Sequence, residues 1–124
     1  MSGRSALFDS NIIIYLSKKE LDLSYIDRFE DLFVSVITYM EILGYDFHDN
    51  AEEEYVRELL GLFTVKYIDK EIADKVIEIR KKEKVKLPDA IVAATAAVNN
   101  LCLVTRDVKD FKGINIDISN PYED

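Results

Sequence analysis

SALFDSNIIIYL, residues 5–16, starts with the short apolar run Ser5, Ala6, Leu7, Phe8, meets Asp9, and continues from Asn11 to Leu16 as an apolar stretch long enough for a helix. Asp9 or Ser10 supplies the cap, since a short oxygen-bearing side chain at such a junction accepts a hydrogen bond from a first-turn amide. The segment reads as strand, turn, helix, with a carboxylate at the turn.

The same alternation extends along the chain. Residues 21–29 are loosely helical, and 32–36 (LFVSV) have the β-branched and aromatic content of a buried strand. A short helix over 38–43 ends at Gly44, a polar turn covers 46–50, and the helix over 51–63 lines Tyr55, Val56, Leu59, Leu60 and Phe63 along one face. Residues 64–68 form a third strand. Asp69 or Lys70 opens a helix in which Ile72, Val76 and Ile79 recur at helical intervals, with Glu71–Lys75 and Glu78–Lys82 as four-apart charge pairs. Residues 88–98 (PDAIVAATAAV) carry no charge after the first turn, which predicts a helix buried on most of its surface with Pro88 at its first position. Strands over 101–105 and 114–118 follow, joined by the polar stretch 106–113. Strands alternating with helices predict an α/β fold, a central mostly parallel sheet of four to five strands flanked by helices.

The 124 residues suit a single domain over 1–124, and 48% hydrophobic and 32% charged residues with four Gly and two Pro exclude a disordered or low-complexity chain. The lone Cys102, inside an apolar run, cannot form an internal disulfide and suits a reducing compartment. No stretch approaches the ~18 apolar residues that span a bilayer, so the expected location is the cytoplasm, with no membrane partner. A net charge of −8 is unfavourable for a protein that handles nucleic acid, unless bound cations and local basic patches offset it.

In parallel α/β sheets, ligands bind beyond the carboxyl ends of the strands. Asp9 ends the first strand, Glu41 lies on the helix after the second, Asp89 is in the first turn of the buried helix, and Asp107 follows the fourth strand. Carboxylates brought to one edge repel each other unless a cation sits among them. With His48 the sole imidazole and no second cysteine, a nitrogen–sulfur zinc site is excluded, whereas an all-oxygen site for Mg²⁺ or Mn²⁺ is available. Such an ion activates water and stabilises a departing oxygen, which suffices for phosphodiester hydrolysis.

The strings LFDSNIIIYL, VITYMEILGY, LPDAIVAATAA and LVTRDVKDFKGI, in this order over nearly the whole chain, resemble PIN-domain ribonucleases of the VapC toxin type. The resemblance implies that Asp9, Glu41, Asp89 and Asp107 match the family's acidic quartet, with Asp9 and Asp89 foremost as metal ligands, and that Ser10, Asn11 and Thr105 line the site. The fourth position is often Asn in this type. Here it is Asp107, and Asp110 follows in DVKDF, placed to share its role. The resemblance further implies cleavage of structured RNA such as transfer or ribosomal RNA, a homodimer, and silencing by a cognate antitoxin.

Each acid also has a plainer explanation: a helix cap for Asp9, a dipole-favoured first-turn acid for Asp89, a turn residue for Asp107, an exposed surface Glu for Glu41. Their coincidence favours a site. The basic run 80–86 suits a solvated helix end or a phosphate grip, and Arg106 a phosphate contact or a surface ion pair. Tyr45 and Phe47 are expected in core packing and His48 at the surface. Two other functions fit the same pattern: an aspartate-based phosphatase, which the absence of an Asp-x-Asp motif at Asp9 disfavours, and a non-catalytic module binding RNA or protein.

Overall fold

The computed structural model describes residues 4–123. Its elements are β1 (Ser5–Phe8), α1 (Ser10–Ser17), a 3₁₀ helix (Leu23–Arg28), β2 (Asp31–Ser35), α2 (Val36–Leu43), α3 (Asn50–Leu60), β3 (Thr64–Lys66), α4 (Lys70–Lys82), α5 (Leu87–Val98), β4 (Cys102–Val104), a second 3₁₀ helix (Val108–Phe111) and β5 (Ile118–Ser119). The five strands form one sheet in the order β3-β2-β1-β4-β5, every neighbouring pair parallel. Among the described residues no helix is long and apolar enough to cross a membrane.

Parallel strands need helices on both faces, and β1 shows how the sequence provides for this. Ala6 and Phe8 point into one core with α1, α3 and the first 3₁₀ helix, while Leu7 points into the other with α4 and α5. Phe8 is fully buried and meets Phe63, Phe29 and Tyr25 edge to face at centroid separations of 5.1, 5.7 and 6.4 Å. In α5, the small Ala90, Ala93, Ala94 and Ala96 are at most 1% exposed and allow close approach to the sheet and α4. Thr95, also buried, satisfies its hydroxyl on the Ile91 carbonyl at 2.7 Å.

Several elements differ from the expectations. Within the segment 21–29 only Leu23–Arg28 is helical, as a 3₁₀ helix capped by Asp22 and burying only Tyr25 among its own residues, too little apolar surface to stabilise a longer α-helix. α2 begins two residues early, at Val36, because the Ser35 hydroxyl accepts from the Ile37 amide. α3 stops at Leu60 with Gly61 as its C-cap, and Tyr55 lies at its exposed margin. β3 is cut to three residues at the sheet edge, leaving Tyr67 and Ile68 largely exposed. Pro88 is the second residue of α5, after Leu87. β5 pairs only through Ile118 and Ser119, whereas Ile114 and Ile116 pack against the core without joining the ladder. On α4, Lys75 reaches forward to Glu78 at 3.0 Å, so the expected pair with Glu71 is replaced by a three-apart one; the Glu78–Lys82 pair stands at 3.9 Å.

Candidate active site

From β1 the chain winds outward through β2 to β3, then crosses back to lay β4 and β5 on the other side of β1. The strand order therefore reverses between β1 and β4, the point at which an open parallel sheet leaves a crevice beyond its carboxyl ends. Asp9 follows β1 and Asp107 follows β4, one on each side of that point. The Asp9 amide, donating to the Val104 carbonyl at 3.0 Å, ties the two strand ends together.

Asp9 is the N-cap of α1. Its Oδ1 accepts from the Ser10 amide at 2.7 Å and its Oδ2 from the Thr105 hydroxyl at 2.8 Å. Thr105 Oγ1 in turn accepts from the Asp107 amide at 3.0 Å, so one fully buried threonine fixes the carboxylate of one acid and the backbone of another. Asn11 Nδ2 donates to Asp107 Oδ2 at 2.8 Å. Ser10 Oγ donates to Glu41 Oε1 at 2.8 Å and lies 3.3 Å from the hydroxyl of buried Thr38. Thr38 was not singled out in the sequence, although its position three residues before Glu41 places both on one face of α2.

Burial pushes the Asp9 pKa above the ordinary 3.8; its hydrogen bonds from Thr105 and Ser10 draw it down, and the charges of Asp107 and Asp89 push it up. Asp89 is likewise raised, first by burial and then by Asp110, with Glu41 and Asp107 adding to the effect and Lys86 opposing it. All four predicted acids thus take part in one electrostatic neighbourhood at the carboxyl edge, and Asp110 belongs to it.

The donors on this edge are carboxylate and hydroxyl oxygens, a set that fits a hard divalent cation in kind. Among the described residues, no three acidic, histidine or cysteine side chains converge tightly enough, as they stand, to enclose one ion. Cys102 is buried with the Arg4 guanidinium 2.9 Å from its sulfur, and His48 lies exposed with its amide bonded to Glu52. The Arg106 guanidinium stacks 4.3 Å from the Tyr122 ring centroid and 5.6 Å from that of Tyr15, and among the described residues it makes no ion pair. Tyr45 is 61% exposed, contrary to the expected core packing, and meets Phe47 edge to face at 5.5 Å; Phe47 itself packs on the core.

A five-stranded parallel sheet with acids gathered where its strand order reverses defines the class: an α/β protein of PIN-like architecture. The sequence model of the PIN domain matches residues 6–116. A curated relative, the VapC ribonuclease Y4jK of Sinorhizobium fredii, is 30% identical over 94% of this chain and 97% of its own length. Among solved structures, a toxin-antitoxin complex from Klebsiella pneumoniae contains a chain 36% identical, with a TM-score of 0.76 over 96% of this chain and 99% of that one. VapBC2 from Rickettsia felis, bound to a promoter DNA fragment, is 18% identical and shares the fold with a TM-score of 0.81 over 94% and 98% of the two chains. The chain belongs to the PIN-domain family, and within it to the VapC type of toxin.

Proposed function

We propose that the protein is a divalent-metal-dependent endoribonuclease, the toxin of a type II toxin–antitoxin pair. In this reading it is a single PIN domain over residues 1–124, acts in the cytoplasm as a homodimer on structured RNA such as transfer or ribosomal RNA, and is silenced by a cognate antitoxin. The observation that supports the chemistry is the gathering of Asp9, Glu41, Asp89 and Asp107 where the strand order reverses, close enough that burial and neighbouring acids raise the pKa values of Asp9 and Asp89. The relative's name, VapC ribonuclease, supports the substrate class.

Asp9 and Asp89 would hold Mg²⁺ or Mn²⁺, with Glu41 and Asp107 completing the acidic surround. When bound, such an ion lowers the pKa of its water and offsets charge on the departing oxygen. The protein's own part is positioning. Thr105 orients Asp9 through Oδ2, Asn11 restrains Asp107, and Ser10 restrains Glu41, so the acids keep their places despite their repulsion. Burial and the neighbouring acids hold protons on Asp9 and Asp89 to higher pH than in an isolated carboxyl group. Activity that needs both ionised therefore rises with pH through that range.

The test is incubation of partner-free protein with total cellular RNA in Mg²⁺, Mn²⁺ or EDTA, beside Asp9→Asn and Asp89→Asn, with the new 5′ ends mapped. Discrete metal-dependent cuts absent from both variants are expected. Intact RNA from folded protein in either metal, or release of inorganic phosphate from a phosphoester without RNA cleavage, would overturn the assignment.

A further inference from the structure

Beside the acids lies a cavity of about 260 Å³ whose charged walls are Lys84, Lys86, Lys109 and Lys112 together with Glu83, Asp89 and Asp110, one more cation than acids. The first two lysines come from the segment between α4 and α5, the other two from the 3₁₀ helix after β4 and the residue that caps it. The fold thus brings two short basic stretches to one place. Among the described residues none of these lysines makes an ion pair, although the chain pairs other cations closely: Arg57 with Glu53 at 3.0 Å, Lys70 with Asp74 at 2.7 Å, Lys75 with Glu78 at 3.0 Å. α5 begins at this cavity, and no side chain caps its first turn, so the positive end of its dipole adds to the ammonium groups.

Size and lining select the ligand. The volume falls below the roughly 300–1,000 Å³ of pockets that engulf a drug-sized molecule and suits a group the size of a phosphate. No aromatic ring lines it, which disfavours a stacked base and favours a phosphate. An acidic chain of net charge −8 also needs a local cationic foothold if a polyanion is to approach its acidic edge.

We propose that Lys84, Lys86, Lys109 and Lys112 seat a backbone phosphate of the RNA flanking the bond to be cut, fixing the path of the strand past Asp89. This rests on the ribonuclease reading for what happens at the acids, but binding can be measured without cleavage. The probe is a fluorescein-labelled single-stranded RNA oligonucleotide, its anisotropy followed with Asp9→Asn protein across roughly 50 to 200 mM salt. The paired changes Lys84→Gln/Lys86→Gln and Lys109→Gln/Lys112→Gln are each compared with Lys70→Gln, a residue on α4 whose side chain is 90% exposed. The slope of log affinity against log salt is expected to fall by about 0.7 for each phosphate contact removed, with Lys70→Gln unchanged.

Cleavage is measured in parallel with Asp9 intact. If both paired variants fold, bind with the parent's slope and cut at the parent's rate, the phosphate seat is wrong and the ribonuclease reading stands. If the wild type does not cut yet the lysines govern RNA binding, the ribonuclease reading fails and the seat stands. No RNA binding by the parent at low salt overturns the seat outright.

Discussion

The two ends of the sheet carry charge differently. At the amino end lies the larger hollow, about 960 Å³, lined among others by Arg4, Lys66, Asn99, Asn100 and Asp117. Its cations are occupied: Arg4 lies 3.7 Å from Asp117 and stacks over Phe29 at 5.4 Å, while the Lys66 ammonium stands 4.8 Å over Phe33. At the carboxyl end the space is smaller, yet acids press on one another and two of them are held above their ordinary pKa. A hollow with satisfied walls has little to gain from a ligand. Unrelieved repulsion among positioned groups is a better guide to chemistry than volume.

The contrast breaks most visibly under substitution. Asp9→Asn or Asp89→Asn is expected to lower metal-dependent RNA cleavage by about three orders of magnitude, roughly 4 kcal/mol of transition-state stabilisation, whereas Asn115→Ala in the amino-end hollow should stay within about twofold. Equal losses at both ends, read as single-turnover rates, would abolish the distinction.

A smaller effect sharpens it. Thr105→Val removes the hydroxyl that serves both Asp9 and Asp107, and should reduce cleavage about 10- to 100-fold. Thr105→Ser should restore most of the rate, a rescue that a purely packing role for the threonine would not produce.

The smallest expected effect is on stability. Carboxyl groups of the unfolded chain titrate near 3.8, while Asp9 and Asp89 titrate higher in the fold, so the folded state holds their protons more tightly. Their protonated forms favour folding, and that contribution declines as pH rises from 3.8 through the raised values. At neutral pH without metal, Asp9→Asn/Asp89→Asn should therefore melt above the wild type. Added Mn²⁺ should raise the wild-type midpoint and leave the double variant unmoved; thermal melts by circular dichroism would reveal the opposite order.

Much of this arrangement was readable from the residues because it is local. The junction at Phe8–Asp9–Ser10 declares strand end, cap and acid in three residues, and the charge-free run after Asp89 declares a buried helix, since both depend on neighbours within one turn. What the sequence withheld depends on distant returns of the chain. The stacking of Arg106 on Tyr15 and Tyr122 is one such case, because both rings reach it only through the tertiary fold. The basic run 80–86 suits a solvated helix end or a phosphate grip, and its sequence neighbourhood does not show that Lys84 and Lys86 share a cavity wall with Lys109 and Lys112. β5 was misplaced because its apolar residues pack without joining the ladder, and periodicity does not distinguish the two.

The central strand has a consequence for how the molecule comes into being. β1 is synthesised well before β4, its partner on one side, and with Ala6 lying opposite Cys102 this pairing joins strands far apart in sequence. Contacts of such long sequence separation form late and slowly in folding. Asp9 leaves the ribosome ahead of Thr105 and Asp107 and waits for both. A chain interrupted before β4 lacks Asp107 and the threonine that orients Asp9, so assembly of the edge is tied to synthesis of β4 and the turn after it.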